Sequence, residues 1–594
     1  MKKQFGLPLM LASALAFSAC SSDDVAENGN GSLTDFTNGG YVKMAINMPT
    51  VKSSEGAFKG ANDDYKDGTP EEYAVNNTTV IMFQGNNEND AIFHSAYNIT
   101  KAWTPELAPN GQISSTLQLT KKVNEAAIGS NLYALVVVNN NGLLSVGADH
   151  KLTVGSDDFT GNFTDFKNKL ATATSVSGTD FSGAGLFMAN APLSKGTGGT
   201  AKSDGPVTTL VNLSSDVYPT ETAAEAAPAA HIYIERGVAK VTFVNRKIDE
   251  NFTTDAFSNG KGVVPVTYTM DGWNLDITNT KSYLVRHVES SWNAYKTDII
   301  PTTGAIANPF RFVGHTAVKD NLYRTYWAED PNYSSTPAAA FNKVAGVADI
   351  NKGFGSDKPL YCLENTFNVD NQNQDATTRA IVRVKVKING TEGDFYTVNG
   401  GKTTLYSKDN LDNLVKNAII TNGDVVAANG GTAPTATAIN LSYSTPDANN
   451  VQTVDGIDLT LADGTLLSSK TNYNNILTAV NDAVKNITKY VGGYVYYPVR
   501  IKHFGDELTP WAQAYDANIT TGKIYPAANK EERYLGRYGV VRNNWYELEV
   551  NSIKGIGYAV IPPANSVPDD VLDQYISVKI NILSWAKRKQ SEKL

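Results

Sequence analysis

The stretch Tyr41-Val42-Lys43-Met44-Ala45-Ile46-Asn47-Met48 sets Val42, Met44, Ile46 and Met48 at every second position, with Pro49 directly after. A period of two is the side-chain period of a β-strand, and proline cannot donate to a ladder, so residues 41–48 read as a strand with one apolar face. The pattern returns near the other end of the chain. Tyr575-Ile576-Ser577-Val578-Lys579-Ile580-Asn581-Ile582 repeats it in phase: each of the four alternating apolar positions coincides, and Tyr, Ile and Asn recur in place. Equal phase presents the same face to a groove, so the two segments read as interchangeable. Four buried aliphatic side chains at ~1.5–3 kcal/mol each are worth roughly 6–12 kcal/mol, and each ladder hydrogen bond adds ~1 kcal/mol net. Loss of the first strand would leave an apolar slot and unpaired edges, a template for the C-terminal strand of another copy. Residues 559–574, with Pro562, Pro563 and Pro568, read as an extended arm with a reach of up to ~50 Å. The other reading of the match is two unrelated strands, each buried within its own domain.

Working outward, β signals lie at Thr79–Phe83, Ile92–Tyr97, Ile113–Leu119 and Leu132–Val138, the last a continuous apolar run typical of a central strand. Further strands are expected at Ile232–Phe243, Val264–Met270, Ala380–Ile388, Tyr494–Ile501 and Trp545–Val550. Short helices are expected around Asp165–Leu170 and over Asn474–Thr488, where Ile476, Leu477, Val480, Val484 and Ile487 share a face. Asn368–Asp375 and Asn422–Thr435 read as surface loops. Many strands and few helices predict a mainly β protein of β-sandwiches. The low-order stretch Thr220–Ala230 is the expected main boundary. The expected division is 1–19 leader, 20–59 propeptide with the first strand, 60–228 and 229–557 as two sandwich domains, and 558–594 as linker and last strand.

The 594 residues carry 19% charged and 41% hydrophobic side chains, enough apolar material for real cores. A net charge of −9 provides no basic field for phosphate backbones, so no nucleic-acid partner is expected. Lys2 and Lys3 precede an apolar run from Phe5 to Phe17 that is too short to span a bilayer, and Ser18-Ala19 lead into Cys20. This is a secretory signal followed by the small-residue approach to a lipidated cysteine, although Phe17 departs from the usual Leu. Cys20 is thus the expected lipid anchor, with an ordinary signal peptide as the alternative. With Cys20 acylated, Cys362 is left with no disulfide partner.

Several stretches resemble the Bacteroidetes fimbrillin family, the subunits of type V pili, and most closely the shaft subunit of the short fimbriae. Val540-Val541-Arg542-Asn543-Asn544-Trp545-Tyr546 is similar to the family's V-V-R-N-x-x-Y strand, and Glu235-Arg236-Gly237-Val238-Ala239-Lys240-Val241 to its E-R-x-x-A-[RK] strand. Ser21-Ser22-Asp23-Asp24, Met48-Pro49 and Ser584-Trp585 fit the same pattern, whereas the long insertions match poorly. The resemblance implies two transthyretin-like β-sandwich domains in a precursor exported as a lipoprotein to the outer membrane. A trypsin-like surface protease cuts after the first strand, and the C-terminal strand of one subunit then completes the next. The donor residues would be Ile576, Val578, Ile580, Ile582 and Trp585, and the displaced ones Val42, Met44, Ile46 and Met48. Implied partners are further copies in a fimbrial homopolymer, accessory tip and anchor subunits, and host or bacterial surface receptors. The family's cut follows a basic residue, usually Arg, but no arginine precedes Arg236. Lys59, before Gly60, is the first candidate and Lys52 the second. A tip or anchor subunit, or a surface-anchored glycan-binding lipoprotein, are the alternatives.

No catalytic signature is present: H-E-x-x-H, G-x-S-x-G and Walker loops are absent, and no two of the six histidines lie within five residues. The protein is expected to be no enzyme and to need no cofactor. Adjacent acids such as Asp63-Asp64, Glu71-Glu72, Asp157-Asp158, Glu531-Glu532 and Asp569-Asp570 read as solvated loop residues. Asp370–Asp375 lacks the spacing of a calcium loop. Cys362 is expected to be an inert buried thiol. Tyr490, Tyr494, Tyr496 and Tyr497 are expected to serve mainly as core.

Overall fold

Leu132–Val138, apolar at each position, runs through the interior of the largest sheet of the protein, described here from a computed structural model. The structure describes residues 40–47, 69–99, 112–119, 131–172, 185–195, 206–244, 257–258, 263–288, 313–319, 322–334, 341–401, 404–504, 535–553, 555–567, 569, 576–583 and 588–589. The largest sheet has nine strands: β1 (Gly40–Asn47), β2 (Thr78–Gly85), β3 (Ile92–Asn98), β4 (Gln112–Leu119), β5 (Asn131–Val138), β6 (Met188–Asn190), β7 (Val211–Asn212), β8 (Val217–Tyr218) and β9 (Ala230–Arg236). Both its faces are buried. Val80, Met82, Ala134, Val136 and Val138 enter one core with β1 and β9. Ile81, Phe83, Tyr133, Leu135 and Val137 enter another, with Phe163 and Phe166. Burial on both faces is what a run without polar alternation requires. Those two phenylalanines lie on a short helix, α2 (Phe163–Lys167), after α1 (Pro70–Tyr73).

Ile232–Phe243, expected as one strand, is two. β9 ends at Arg236, and β10 (Ala239–Val244) joins a different sheet. Sheet membership therefore changes at Gly237-Val238 and not in the Ala- and Pro-rich stretch before it. Glu221–Ala226 of that stretch is a helix, α3, with Thr220 accepting at its N-terminus from Ala223 N at 3.2 Å.

The second half contains a three-stranded sheet of β11 (Val266–Asp276), β13 (Arg379–Ile388) and β19 (Tyr494–Arg500), and a five-stranded sheet. The latter runs in the order β12 (Leu360–Cys362), β10, β20 (Trp545–Ile553), β21 (Ile576–Leu583) and β22 (Arg588–Lys589). Val241, Phe243, Tyr546, Leu548 and Val550 from the latter meet Val382, Val384, Val386, Val495 and Tyr497 from the former in one core. Two sheets sharing one apolar layer is the sandwich arrangement.

Residues 396–487 build a further core with its own helices, while Phe395, Leu405 and Tyr490 pack into the sandwich core. Strands β14 (Phe395–Thr397), β15 (Asn440–Tyr443), β16 (Val451–Gln452), β17 (Val454–Asp458) and β18 (Ile487–Tyr490) accompany α4 (Lys408–Ile420), α5 (Gly423–Ala428) and α6 (Tyr473–Ala483). Leu411, Val415 and Ile419, four apart on α4, pack against Ile476 and Val480 of α6. Asn422–Thr435 is accordingly no plain surface loop. The expected helix over Asn474–Thr488 stops at Ala483: Asn486 takes a left-handed backbone at φ 54°, and Ile487 starts β18. Among the described residues no helix is long and apolar enough to cross a membrane.

Candidate strand-exchange site

β1 is enclosed on both edges. On one side Gly40 to Asn47 pair antiparallel with Leu119 to Gln112 of β4. On the other, Tyr41 and Val42 pair antiparallel with Tyr218 and Val217, and Met44 to Asn47 run parallel to Ala230 to Tyr233 of β9. Val42, Met44 and Ile46 are wholly buried beside Ile232 and Val217, as the alternation of their sequence requires; at ~1.5–3 kcal/mol each they contribute about 5–9 kcal/mol. The half-buried Lys43 donates Nζ to Glu225 O at 2.9 Å at the end of α3, where carbonyls favour a cation. Met48 lies outside the described residues, as do Cys20, Lys52, Lys59 and Gly60.

β21 sits differently. It pairs antiparallel with its own chain's β20 at eight positions, setting Ile582, Ile580 and Val578 in register with Tyr546, Leu548 and Val550. On its other edge it has β22 at two positions, Asn581 and Ile582. The two matched segments thus occupy different sheets of one chain: one in a two-sided slot, the other on a mostly one-sided edge. Trp585 lies outside the described residues.

The chain returns from β1 at α1, and there it is locked down. Thr69 N donates to Glu72 Oε2 at 3.0 Å, closing the first turn. Glu72 Oε1 receives Lys240 Nζ at 2.7 Å and the Tyr361 hydroxyl. Arg236 Nε donates to Glu72 O at 3.1 Å, and its Nη1 to Asn543 Oδ1 at 3.1 Å. Lys240 also lies 3.8 Å from the Trp545 ring centroid, and Trp545 Nε1 donates to Thr242 Oγ1 at 2.8 Å. Burial and the adjacent Glu72 carboxylate push the Tyr361 hydroxyl well up, so it stays a donor. Glu72 therefore joins α1 to β10 through Lys240 and to β12 through Tyr361, and Arg236 links it onward to Asn543. A break in residues 48–68 would sever β1 while leaving α1 held.

The remaining charges of those two sequence stretches are also spent at this seam. Glu235 takes a two-pronged bond from Arg286, at 2.8 and 2.9 Å. Arg542 pairs with Glu364 and donates to Ser282 Oγ at 2.6 Å and Tyr283 O at 3.0 Å.

Other candidates resolve into structure. Tyr490 stacks on Phe395 with centroids 4.4 Å apart, and Tyr496 and Tyr497 are buried, leaving Tyr494 half-buried between Arg383 and Lys385. The Cys362 thiol is pushed up to about 12 by burial and is inert at neutral pH. Asp157 and Asp158 are exposed, but Glu72 and Asp569 are buried, contrary to the reading of their pairs as solvated. The expected loop Asn368–Asp375 is packed inward as well, with Gln372 and Gln374 buried. Among the described residues no group of three or more His, Cys, Asp or Glu side chains is placed to hold a metal. Asp330, half-buried, is pushed up to about 6 by desolvation. Its oxygens accept from Asn332 N at 2.9 Å, Asn279 Nδ2 at 2.5 Å and Thr366 N at 3.1 Å, a purely structural engagement. The capping-box spacing Thr69-x-x-Glu72 is the one sequence signal that would have singled out Glu72.

Residues 523–591 match the family model for the C-terminal part of fimbrillin, the major fimbrial subunit protein type IV. That span contains β20, β21 and the Val540–Tyr546 stretch. No curated protein matches the chain. A solved candidate cell adhesion protein from Parabacteroides distasonis ATCC 8503 is 13% identical, with 93% of this chain and 99% of that one covered at a TM-score of 0.33. The tip fimbrial protein Mfa3 from Porphyromonas gingivalis, truncated at its C-terminus, is 10% identical over 92% and 99% at 0.26. The fimbrial anchor protein Mfa2 from Porphyromonas gingivalis is 11% identical over 72% and 98% at 0.19. Likenesses at TM-scores this low constrain neither fold nor function.

Proposed function

We propose that the chain is a structural subunit of a cell-surface fimbria, made as a lipid-anchored precursor and polymerised by exchange of its C-terminal strand. One observation carries this reading: β1 fills a two-sided apolar slot, and residues 575–582 reproduce its pattern position by position. The match of residues 523–591 to the fimbrillin C-terminal family supports it. In the sequence of events, Cys20 is lipidated for export to the outer membrane. A trypsin-like protease cuts after Lys59 or Lys52, and β1 leaves. The neighbour's residues 576–582 then take its place, carrying Trp585 with them.

The exchange has a physical driving force. β21 leaves a position with a full ladder on one side only, and enters one with ladders on both. An apolar slot that would otherwise face water is filled at the same time.

Electron microscopy after limited trypsin treatment tests the reading. Rods are expected, and removal of residues 575–594 should abolish them while leaving a folded monomer; rods from the shortened chain would overturn it. N-terminal sequencing of assembled material separates a shaft subunit, starting after a lysine in residues 50–60, from an anchor subunit that keeps β1.

A further inference from the structure

Composition makes residues 559–574 an arm, yet the structure fastens the first part of it to the body. Tyr558 and Tyr496 exchange backbone hydrogen bonds at 2.9 Å, and Asn450 Nδ2, from the 396–487 unit, donates to Ala559 O at 3.3 Å. Arg379, held by Asp276 at 2.8 Å, donates Nη2 to Pro562 O at 2.6 Å. Gln374 N donates to Val567 O at 2.9 Å, and Asp569 N to Gln372 O at 3.2 Å. A side chain reinforces the last fastening: the Asp569 carboxyl, with no solvent exposure, receives Thr377 Oγ1 at 2.6 Å. Burying a carboxyl is costly unless it is bonded, so these contacts fix its place.

We propose that residues 555–567 together with Asp569 form a rigid bracket and that the exchanged strand departs from Asp569. This rests on the exchange reading above and sharpens its geometry. Six residues separate Asp569 from Ile576, and seven Cα steps at up to ~3.6 Å span about 25 Å. A receiving second copy must therefore bring the mouth of its β1 slot within about 25 Å of Asp569, half the reach that composition allows. A short tether leaving a fixed point restricts the relative placement of successive copies, so Thr377 and Asp569 act as positioning residues for the polymer.

Full-length variants treated with trypsin and imaged by electron microscopy test the bracket. A four-residue Gly-Ser insertion between residues 572 and 573 lengthens the tether and should give rods with a longer or irregular axial repeat. The same insertion between Pro563 and Ala564 lies upstream of the anchor and should leave the repeat unchanged. Deletion of residues 571–574 should eliminate rods while the monomer still melts in one cooperative transition. Should the upstream insertion unfold the chain, Thr377→Val with Asp569→Ala serves instead, and the repeat is expected to become irregular. Equal lengthening by both insertions, rods from the deletion, or a wild-type repeat in the double variant each overturn the bracket alone. Absence of rods from the wild-type chain overturns the exchange reading and the bracket with it.

Discussion

Lys240 Nζ lies 2.7 Å from Glu72 Oε1, both side chains nearly inaccessible to water. The two residues come from opposite sides of the change of sheet at Gly237, and the pair is closed by the Trp545 ring and the Tyr361 hydroxyl. A buried pair of this kind is costly to break from one side only.

Glu72→Ala leaves Lys240 charged and enclosed, so a loss of about 3–5 kcal/mol is expected in denaturant unfolding. Adding Lys240→Met to it should recover much of that loss, because two desolvated groups are removed together. A double-mutant cycle measures the coupling; additive losses would show that Lys240 finds water in the single variant.

Polymer growth should fail in Ile580→Asp, since a carboxylate placed at the position equivalent to Ile46 would enter a site where Ile46 is wholly buried. A synthetic peptide of residues 575–585 should bind trypsin-treated protein and not the intact chain, read by fluorescence anisotropy. Equal binding to both would mean that β1 does not occupy the peptide's site.

Asp330 gives the protein a pH dependence. Its folded value of about 6 lies above the ordinary 3.8, so folding takes up a proton between these values. The contribution is fully present below pH ~4 and is lost as pH rises through 6, a change of about 3 kcal/mol. Glu88, raised by burial, acts with the same sign. Denaturant midpoints at pH 4.5 and 7 should differ less in Asp330→Asn than in the wild type. The variant should also be less stable at pH 7, because the Asn NH2, on either side, would face an N–H donor, that of Asn332 at the Oδ1 position or that of Thr366 at the Oδ2 position.

The 396–487 unit should be removable. Asn399 N donates to Lys485 O at 2.7 Å, which places the two ends of the unit side by side at its neck. Replacing residues 400–484 by three glycines should leave a monomer with a single cooperative melt and, after trypsin, rods. Loss of folding on excision would mean that the unit's core supports the sandwich.

The strands were legible where burial imposed a pattern. β1, β5 and β13 follow from alternation or continuous apolar runs, because a sheet with one or two covered faces leaves no other choice. Gly237 was not legible as a switch point, since the chain on both sides of it alternates in strand fashion and only pairing partners distinguish β9 from β10. The helix α4 was hidden by polar composition, with Leu411, Val415 and Ile419 four apart amid Asn, Asp and Lys, and α5 was too short, with one buried residue, Val425, to show a period. Asp569 and Glu72 were missed for another reason. A carboxylate in a polar stretch reads as solvated until the chain brings Thr377 or Lys240 to it from far away in sequence.

The strand directions around β1 have a last consequence. β1 runs with Ala230–Tyr233 and against Gln112–Leu119, and in the proposed exchange a segment with the same apolar pattern would enter with the same heading. Each copy then offers a strand from one region and an opening from another, a head-to-tail contact that does not close on itself unless the rotation between copies happens to form a ring. In the proposed polymer the fibre would have two chemically different ends, one displaying a vacant slot and the other an unused strand, so growth and capping at the two ends would require different molecules.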